Sequence, residues 1–231
     1  MDYFPIFLDL RRRKALVVGG SENAARKVRL LRKADADIAV VAPTLNDELG
    51  QLARDGALTW HARAFGTADL AGAAVVFAAS DDEAVDAGIA AAADAAGIPV
   101  NAVDRPGLSS FVVPAIVDRS PLVIGISSGG TAPVLARRVR AQIESLLPAG
   151  LGRLARFADS FRGAVKASIG DSNARRRLWE RVFDGPIAAD VLAGKQTRAR
   201  ERMLSLVNRP AERPDEQGMV YIVGAGPGDP D

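Results

Sequence analysis

Short runs of consecutive apolar residues, each halted by a turn-forming residue and followed by a helix-spaced pattern, constrain this chain more than any other feature. Ala15-Leu16-Val17-Val18 stops at Gly19-Gly20, and Ile38-Ala39-Val40-Val41 stops before Pro43. Ala74-Val75-Val76-Phe77 gives way to Ser80-Asp81-Asp82, and Ile98-Pro99-Val100 leads into Asn101-Ala102-Val103-Asp104. Unbroken apolar runs of this length belong to parallel strands covered on both faces. Between them Ala25, Val28, Leu31 and Ala34 recur at helical spacing, as do Val85, Ile89 and Ala92. Strand–helix alternation with right-handed crossovers predicts an α/β fold with a doubly wound parallel sheet over residues 1–111. Thr59-Trp60-His61-Ala62-Arg63 alternates weakly and is expected to add a strand, with His61 partly buried in it.

The rhythm changes near residue 112. Phe111 to Val117 and Leu122 to Ile126 flank the turn-like Asp118-Arg119-Ser120-Pro121, which predicts an antiparallel pair, and a helix follows from about Pro133 to Leu147. These elements make a small α+β domain over 112–148. From Leu151 the pattern is wholly helical to 213, with Leu151, Leu154, Phe157, Phe161 and Val165 on one face and Leu178, Trp179, Val182 and Phe183 on another. Pro210 and Pro214 mark a linker. Val220-Tyr221-Ile222-Val223 then opens a fresh strand that runs into Gly224-Ala225-Gly226-Pro227-Gly228. A strand and a glycine loop cannot make a domain, so residues 214–231 are expected to begin another one.

Composition removes several chemistries. With no cysteine among 231 residues there is no disulfide, thiolate metal site or cysteine nucleophile, and a single histidine excludes multi-histidine zinc sites. No apolar run approaches the length of a membrane helix, and the first residues lack the basic and apolar regions of a secretion signal, so a cytoplasmic protein without a membrane partner is expected. The net charge of +2 hides an asymmetry: residues 1–150 balance at −1, 151–213 at +7, and 214–231 carry four acids and no base. The basic segment favours an anionic partner, but its Phe157, Phe161, Trp179 and Phe183 sit at core spacings, so no nucleic-acid partner is expected.

Three motifs can carry chemistry. Val17-Val18-Gly19-Gly20-Ser21-Glu22-Asn23-Ala24 runs from strand through glycine turn into helix, where free amides and the positive end of the helix dipole suit a pyrophosphate. Its alternative is a tight strand–helix turn with no ligand. The acid that usually binds the adenine ribose is missing, since the second strand ends Val41-Ala42-Pro43-Thr44, and no arginine stands there for a 2′-phosphate, so NAD suits this turn better than NADP. Asp104 ends the fifth strand at the crevice where such sheets bind ligands and is a candidate general base; the alternative is a turn-capping aspartate paired with Arg105. Ser127-Ser128-Gly129-Gly130-Thr131-Ala132-Pro133 precedes a helix carrying Arg137, Arg138 and Arg140, and offers amides and hydroxyls to carboxylates or phosphates unless it is only a helix cap. Asp81-Asp82-Glu83 reads as helix capping.

Taken together the segments resemble the siroheme synthase family, specifically its N-terminal precorrin-2 dehydrogenase and sirohydrochlorin ferrochelatase module. The resemblance rests on Pro5-Ile6-Phe7, Val17-Val18-Gly19-Gly20, Ala78-Ala79-Ser80-Asp81-Asp82, Asn101-Ala102-Val103-Asp104, Phe111 to Pro121 and Ser127 to Arg137, and it covers essentially the whole chain. It implies a Rossmann-like sheet, oxidation of precorrin-2 to sirohydrochlorin by NAD, Fe²⁺ insertion into the product, and a homodimer with 112–148 as its dimerisation domain. It places NAD over Gly19, Gly20, Ser21, Glu22 and Asn23 and against Pro43 and Thr44. It places the catalytic aspartate at Asp104, also a transient metal ligand, and the tetrapyrrole at Asn101, Ser127, Ser128, Gly129, Gly130, Thr131 and Arg137. Ser128 matches a serine phosphorylated in the family. Val223 to Asp229 resembles the S-adenosylmethionine loop of the family's methyltransferase domain, with Pro227 as the contact, which implies a trifunctional full-length protein. The departure is Ser21, where many relatives have glycine.

The residues agree with that chemistry. Arginines and amide nests suit a polycarboxylate ring. An oxygen ligand such as Asp104 offers Fe²⁺ and lets it go, where a histidine–cysteine site would retain it. Two other readings compete. A generic NAD-dependent reductase would bring a Tyr-x-x-x-Lys pair or a catalytic histidine, and the only tyrosines are Tyr3 and Tyr221. A non-enzymatic NAD-sensing regulator leaves the serine–glycine nest without a use.

Overall fold

The computed structural model describes residues 3–208; the linker prolines, the strand expected at 220–223 and Pro227 lie outside the described residues. Two compact units emerge, one of residues up to 117 with 124–145, the other of 118–123 with residues from 146 onward.

The first unit is built on a five-stranded sheet. β1 (Lys14–Val18), β2 (Asp37–Val41), β3 (Thr59–His61), β4 (Ala73–Ala78) and β5 (Val100–Ala102) lie in the order β3-β2-β1-β4-β5. All neighbours are parallel, with Val18 opposite both Val41 and Ala78. The chain winds outward from β1 to β3, then returns to start β4 on the other side of β1. That reversal makes a switch point, the place where open α/β sheets leave a crevice beyond their carboxyl ends. This is the Rossmann-like fold expected from the apolar runs.

Alternate side chains divide the core into two layers. Ala15, Val17, Val40, Val75 and Phe77 face Ala24, Ala25, Val28 and Leu31 of α1 (Glu22–Lys33) and Leu49 of α2 (Asp47–Arg54). Leu16, Val18, Val41, Val76 and Val100 face Ile89, Ala90 and Ala93 of α3 (Glu83–Ala95). Each fully buried branched aliphatic contributes about 1.5–3 kcal/mol, so the middle strands hold the unit together. Two expectations shift here. The buried stripe of α3 contains Asp86, at 0% exposure, while Val85 is 44% exposed. His61 is exposed, because β3 is an edge strand whose three residues all lie open to solvent.

β6 (Ala115–Arg119) and β7 (Leu122–Ile126) pair as a separate two-stranded sheet, and their two-residue connection can join only antiparallel strands. α4 (Pro133–Leu146) follows with Ala136 as its one buried residue, while Val134 and Leu135 are 69% and 58% exposed. The helical unit comprises α5 (Leu151–Ser168), α6 (Ser172–Asp184), α7 (Pro186–Leu192) and α8 (Gln196–Asn208). Phe161, Val165, Leu178, Val182, Ile187 and Met203 form its main cluster. Gly152 lets α5 start against the hairpin turn, since a Cβ there would lie 2.2 Å from the Ser120 carbonyl oxygen. Among the described residues no helix is long and apolar enough to cross a membrane.

Candidate active site

The glycine turn after β1 sits at the switch point, and its two glycines are required by the protein's own backbone. A Cβ on Gly19, where φ is +134°, would lie 1.9 Å from the carbonyl oxygen of Ala79, beyond β4. A Cβ on Gly20 would lie 1.9 Å from the carbonyl oxygen of Thr44, beyond β2. Hydrogen bonds lock both approaches: the Gly19 amide donates to Val41 O at 3.0 Å, Ala79 N to Val18 O at 2.8 Å, and Asn46 N to Gly20 O at 2.8 Å. Thr44, exposed like Pro43 before it, is thereby brought beside Gly20.

Ser21 caps α1, its hydroxyl accepting from Asn23 N at 3.3 Å. Glu22 is exposed and pairs with Arg29 at 2.8 Å along the outer face of the helix. Asn23 turns toward the next loop and donates through Nδ2 to Asp81 at 2.7 Å. The capping role expected of Asp81-Asp82-Glu83 belongs to Asp82, whose carboxylate accepts from Ala84 N and Val85 N. Asp81 instead adopts a positive φ of 65°. The hydroxyl of Ser21, then the amide of Asn23, hold its carboxyl below the ordinary value. Ser21 thus has a second partner that a glycine at this position could not engage.

Asp104 lies two residues beyond β5, exposed, with φ +59°. The alternative pairing with Arg105 is not formed: the Arg105 guanidinium binds Asp86 instead. Asp86 also accepts from Ser80 Oγ at 2.6 Å and Ser80 N at 3.0 Å. Lys27 of α1, which feels the charge of Asp104, stands half-buried with its ammonium 5.6 Å from the centre of the Phe77 ring. Burial pushes the Lys27 ammonium down from its ordinary value, and the negative charge of Asp104 pulls it back up. Neither Lys27 nor Asp86 was indicated by the sequence, because a lysine on an amphipathic helix and an acid in a helix interior look like surface residues. Asn101 is buried at 8% exposure, its amide donating to Phe111 O at 3.0 Å.

The serine–glycine loop is organised differently. Gly129 and Gly130 both have positive φ, +63° and +86°. A Cβ on Gly129 would meet the Tyr3 ring at 3.3 Å, and one on Gly130 would meet nothing within 4 Å. Ser127 Oγ accepts from Gly129 N, Ser128 Oγ from Ala132 N, and Ser128 O from Thr131 N, each at 3.1 Å. Thr131 and Arg137 are exposed, whereas Arg140 is tied to Ile116 O at 2.8 Å and to Glu144 at 2.7 Å. The crevice therefore gathers Gly19 to Asn23, Pro43, Thr44 and Asp81, with Lys27 coupling it to Asp104. Among the described residues, no hydrogen bond or ion pair joins Ser127 to Arg137 to that group.

The geometry fits NAD. The amino end of α1 opens at the switch point, its first two side chains, Glu22 and Asn23, are polar, and Thr44 lies exposed just beyond β2. There is no carboxylate at the end of β2, so a ribose bound there would meet Thr44 and backbone instead.

Comparison with known proteins gives a consistent result. An NAD(P)-binding family model matches residues 6–115, one described as the sirohaem biosynthesis protein central region matches 119–146, and one described as the sirohaem synthase dimerisation region matches 150–207. Siroheme synthase of Chromobacterium violaceum is 51% identical over 231 residues, all of this chain and 49% of the relative. Siroheme synthase of Nitrosomonas eutropha is 47% identical over all of this chain and 48% of the relative. The chain spans about half the length of these curated relatives. Among solved structures, SirC, a precorrin-2 dehydrogenase, superposes with a TM-score of 0.68 over 88% of this chain and 100% of SirC, at 23% identity, which establishes a shared fold.

Proposed function

The chain belongs to the siroheme synthase family, matching the N-terminal half of its relatives, and from that premise we propose that it oxidises precorrin-2 to sirohydrochlorin with NAD and then inserts Fe²⁺. The observation that carries this reading is the position of Asp104. It is an exposed carboxylate held at the carboxyl end of β5, on the same edge of the sheet as the glycine turn.

NAD, when bound, supplies the hydride acceptor. Gly19, Gly20 and the first turn of α1 would seat its pyrophosphate, and Ser21, Glu22, Asn23, Pro43 and Thr44 would complete its binding site. Asp104 accepts the proton that leaves the macrocycle as it is oxidised. A carboxylate at hydrogen-bond reach is a competent general base, contributing about 10²–10⁴-fold. Lys27 brings a cation to the same end of the sheet, its ammonium held toward the charged form by the negative charge of Asp104.

Metal insertion uses the same side chain. The inner pyrrole protons of sirohydrochlorin must leave as Fe²⁺ enters, and Asp104 can take protons and act as a weak oxygen ligand for the incoming ion. Asn101, Ser127, Ser128, Gly129, Gly130, Thr131 and Arg137 are assigned to the carboxylates of the ring. Ser128 is also assigned as a phosphorylation site. Its hydroxyl lies four residues before Ala132 N, so a phosphate there would put negative charge where a substrate carboxylate docks.

The molecule acts as a homodimer. The family region that matches 150–207 supports this, and so do the uncovered apolar side chains Val134 and Leu135 of α4. We divide the chain into a nucleotide-binding domain at 1–111, a small α+β domain at 112–148, a helical domain at 149–213, and the start of a methyltransferase domain at 214–231; the family's dimerisation region falls on the helical domain, at 150–207, and not on 112–148, where it was expected. Pro227 is assigned as the S-adenosylmethionine contact of the methyltransferase domain. Adding precorrin-2 to protein and NAD should produce NADH and the sirohydrochlorin chromophore, and Fe²⁺ should then convert the spectrum to that of siroheme. Absence of NADH formation with intact precorrin-2 would reject the dehydrogenase reading.

A further inference from the structure

Among the described residues, Asp86 is the one fully buried carboxylate, and the chemistry above leaves its role open. Taking a carboxylate out of water costs several kcal/mol unless its oxygens are matched by donors. Here every donor comes from the rim of the crevice. Ser80, just beyond β4, gives its amide at 3.0 Å and its hydroxyl at 2.6 Å to one oxygen. Arg105, just beyond β5, gives its guanidinium to the other. One carboxylate on α3 therefore ties together the loops at the ends of two adjacent strands, and one of those loops carries Asp104.

The conformation of Asp104 needs such a tie. A non-glycine residue at φ +59° is held against about 1–2 kcal/mol of steric preference, and it persists only where neighbours determine it. The backbone after Asp104 is fixed by Arg105 N to Ala102 O at 3.2 Å and by Leu108 N to Arg105 O at 3.1 Å. Among the described residues the Arg105 guanidinium has its one hydrogen bond and ion pair with Asp86, while its charge also reaches Asp81. We propose that Asp86 is a positioning residue for Asp104, acting through Arg105 to hold the turn that aims the Asp104 carboxylate out of the sheet edge. The pair also explains why Arg105 does not neutralise Asp104: its guanidinium is drawn below the rim to Asp86, which leaves the adjacent carboxylate open to a ligand.

This inference rests on the assignment of Asp104 as the base, and its test separates the two. Asp86→Asn keeps an oxygen for Ser80 but removes the charge that holds Arg105; Arg105→Gln removes the other partner from a half-exposed position and preserves folding if Asp86→Asn does not. In steady-state precorrin-2 oxidation, each variant should lose about tenfold to a hundredfold in kcat with KM for NAD and precorrin-2 within about twofold of the parent. The double variant should be no worse than the poorer single one, because both changes break one tie. Equal kcat per folded molecule in both single variants, with only a lower Tm, would overturn the proposal. If the parent protein itself forms no NADH, the dehydrogenase reading fails while this inference is still read from structure. A crystal structure of either variant should then show Asp104 departing from positive φ, and Asp104 unmoved in both would overturn it.

Discussion

Two serine–glycine turns of this chain look alike on paper and are built for opposite reasons. At Gly19-Gly20 the space where side chains would go is already filled by the carbonyls of Ala79 and Thr44, each 1.9 Å from an added Cβ. At Gly129-Gly130 the constraint is the backbone angle, with φ at +63° and +86°, and the space beyond Gly130 is empty. The first turn is a keystone between three strand ends; the second is a bent loop open to solvent. A glycine-rich motif therefore does not by itself report a ligand. It reports either a close approach or a left-handed bend, and only the structure says which.

The largest effect that could break this contrast is Gly20→Ala. A Cβ that overlaps backbone has nothing flexible to push aside, so the variant should lose more than about 3 kcal/mol or fail to fold, as chemical denaturation would show. Gly130→Ala should cost only the left-handed penalty, about 1–2 kcal/mol, and remain folded; an equal loss in the two variants would erase the distinction. Ser21→Ala should cost about 1 kcal/mol by removing both the cap of α1 and a donor to Asp81, measurable as a lower denaturation midpoint with unchanged slope. The smallest effect is acid sensitivity at the first turn. Asp81 has a folded pKa below its unfolded value, so its contribution is present above the ordinary carboxylate range and fades as pH falls through the lowered value. Ser21→Ala should reduce that acid-dependent part, and an unchanged pH dependence would show that the hydroxyl does not hold Asp81.

Much of the sheet was legible because strands covered on both faces must be continuously apolar, and β1, β2 and β4 fall where those runs fall. The end of β5 was less so: Asp104 was expected at the strand terminus and lies two residues past it, since the strand closes at Ala102 and a turn follows. The burial of α3 was misread by one position. Helical spacing favoured Val85, but Ser80 before the helix and Arg105, nineteen residues away, make Asp86 the buried residue, and the spacing within α3 encodes neither. His61 was expected to be half-covered and is exposed, because edge position is a property of strand order and not of the strand's own residues. Lys27 was invisible for a similar reason: only the folded chain brings it under Phe77 and near Asp104.

The most direct test of the whole account is NADH formation from precorrin-2 by the parent protein and by Asp104→Ala, at matched NAD occupancy. Asp104→Ala should bind NAD as the parent does and form NADH at least about a hundredfold more slowly, as expected when a general base is removed. If the variant instead turns over at the parental rate, the proton goes elsewhere and the carboxylate beyond β5 is not the base.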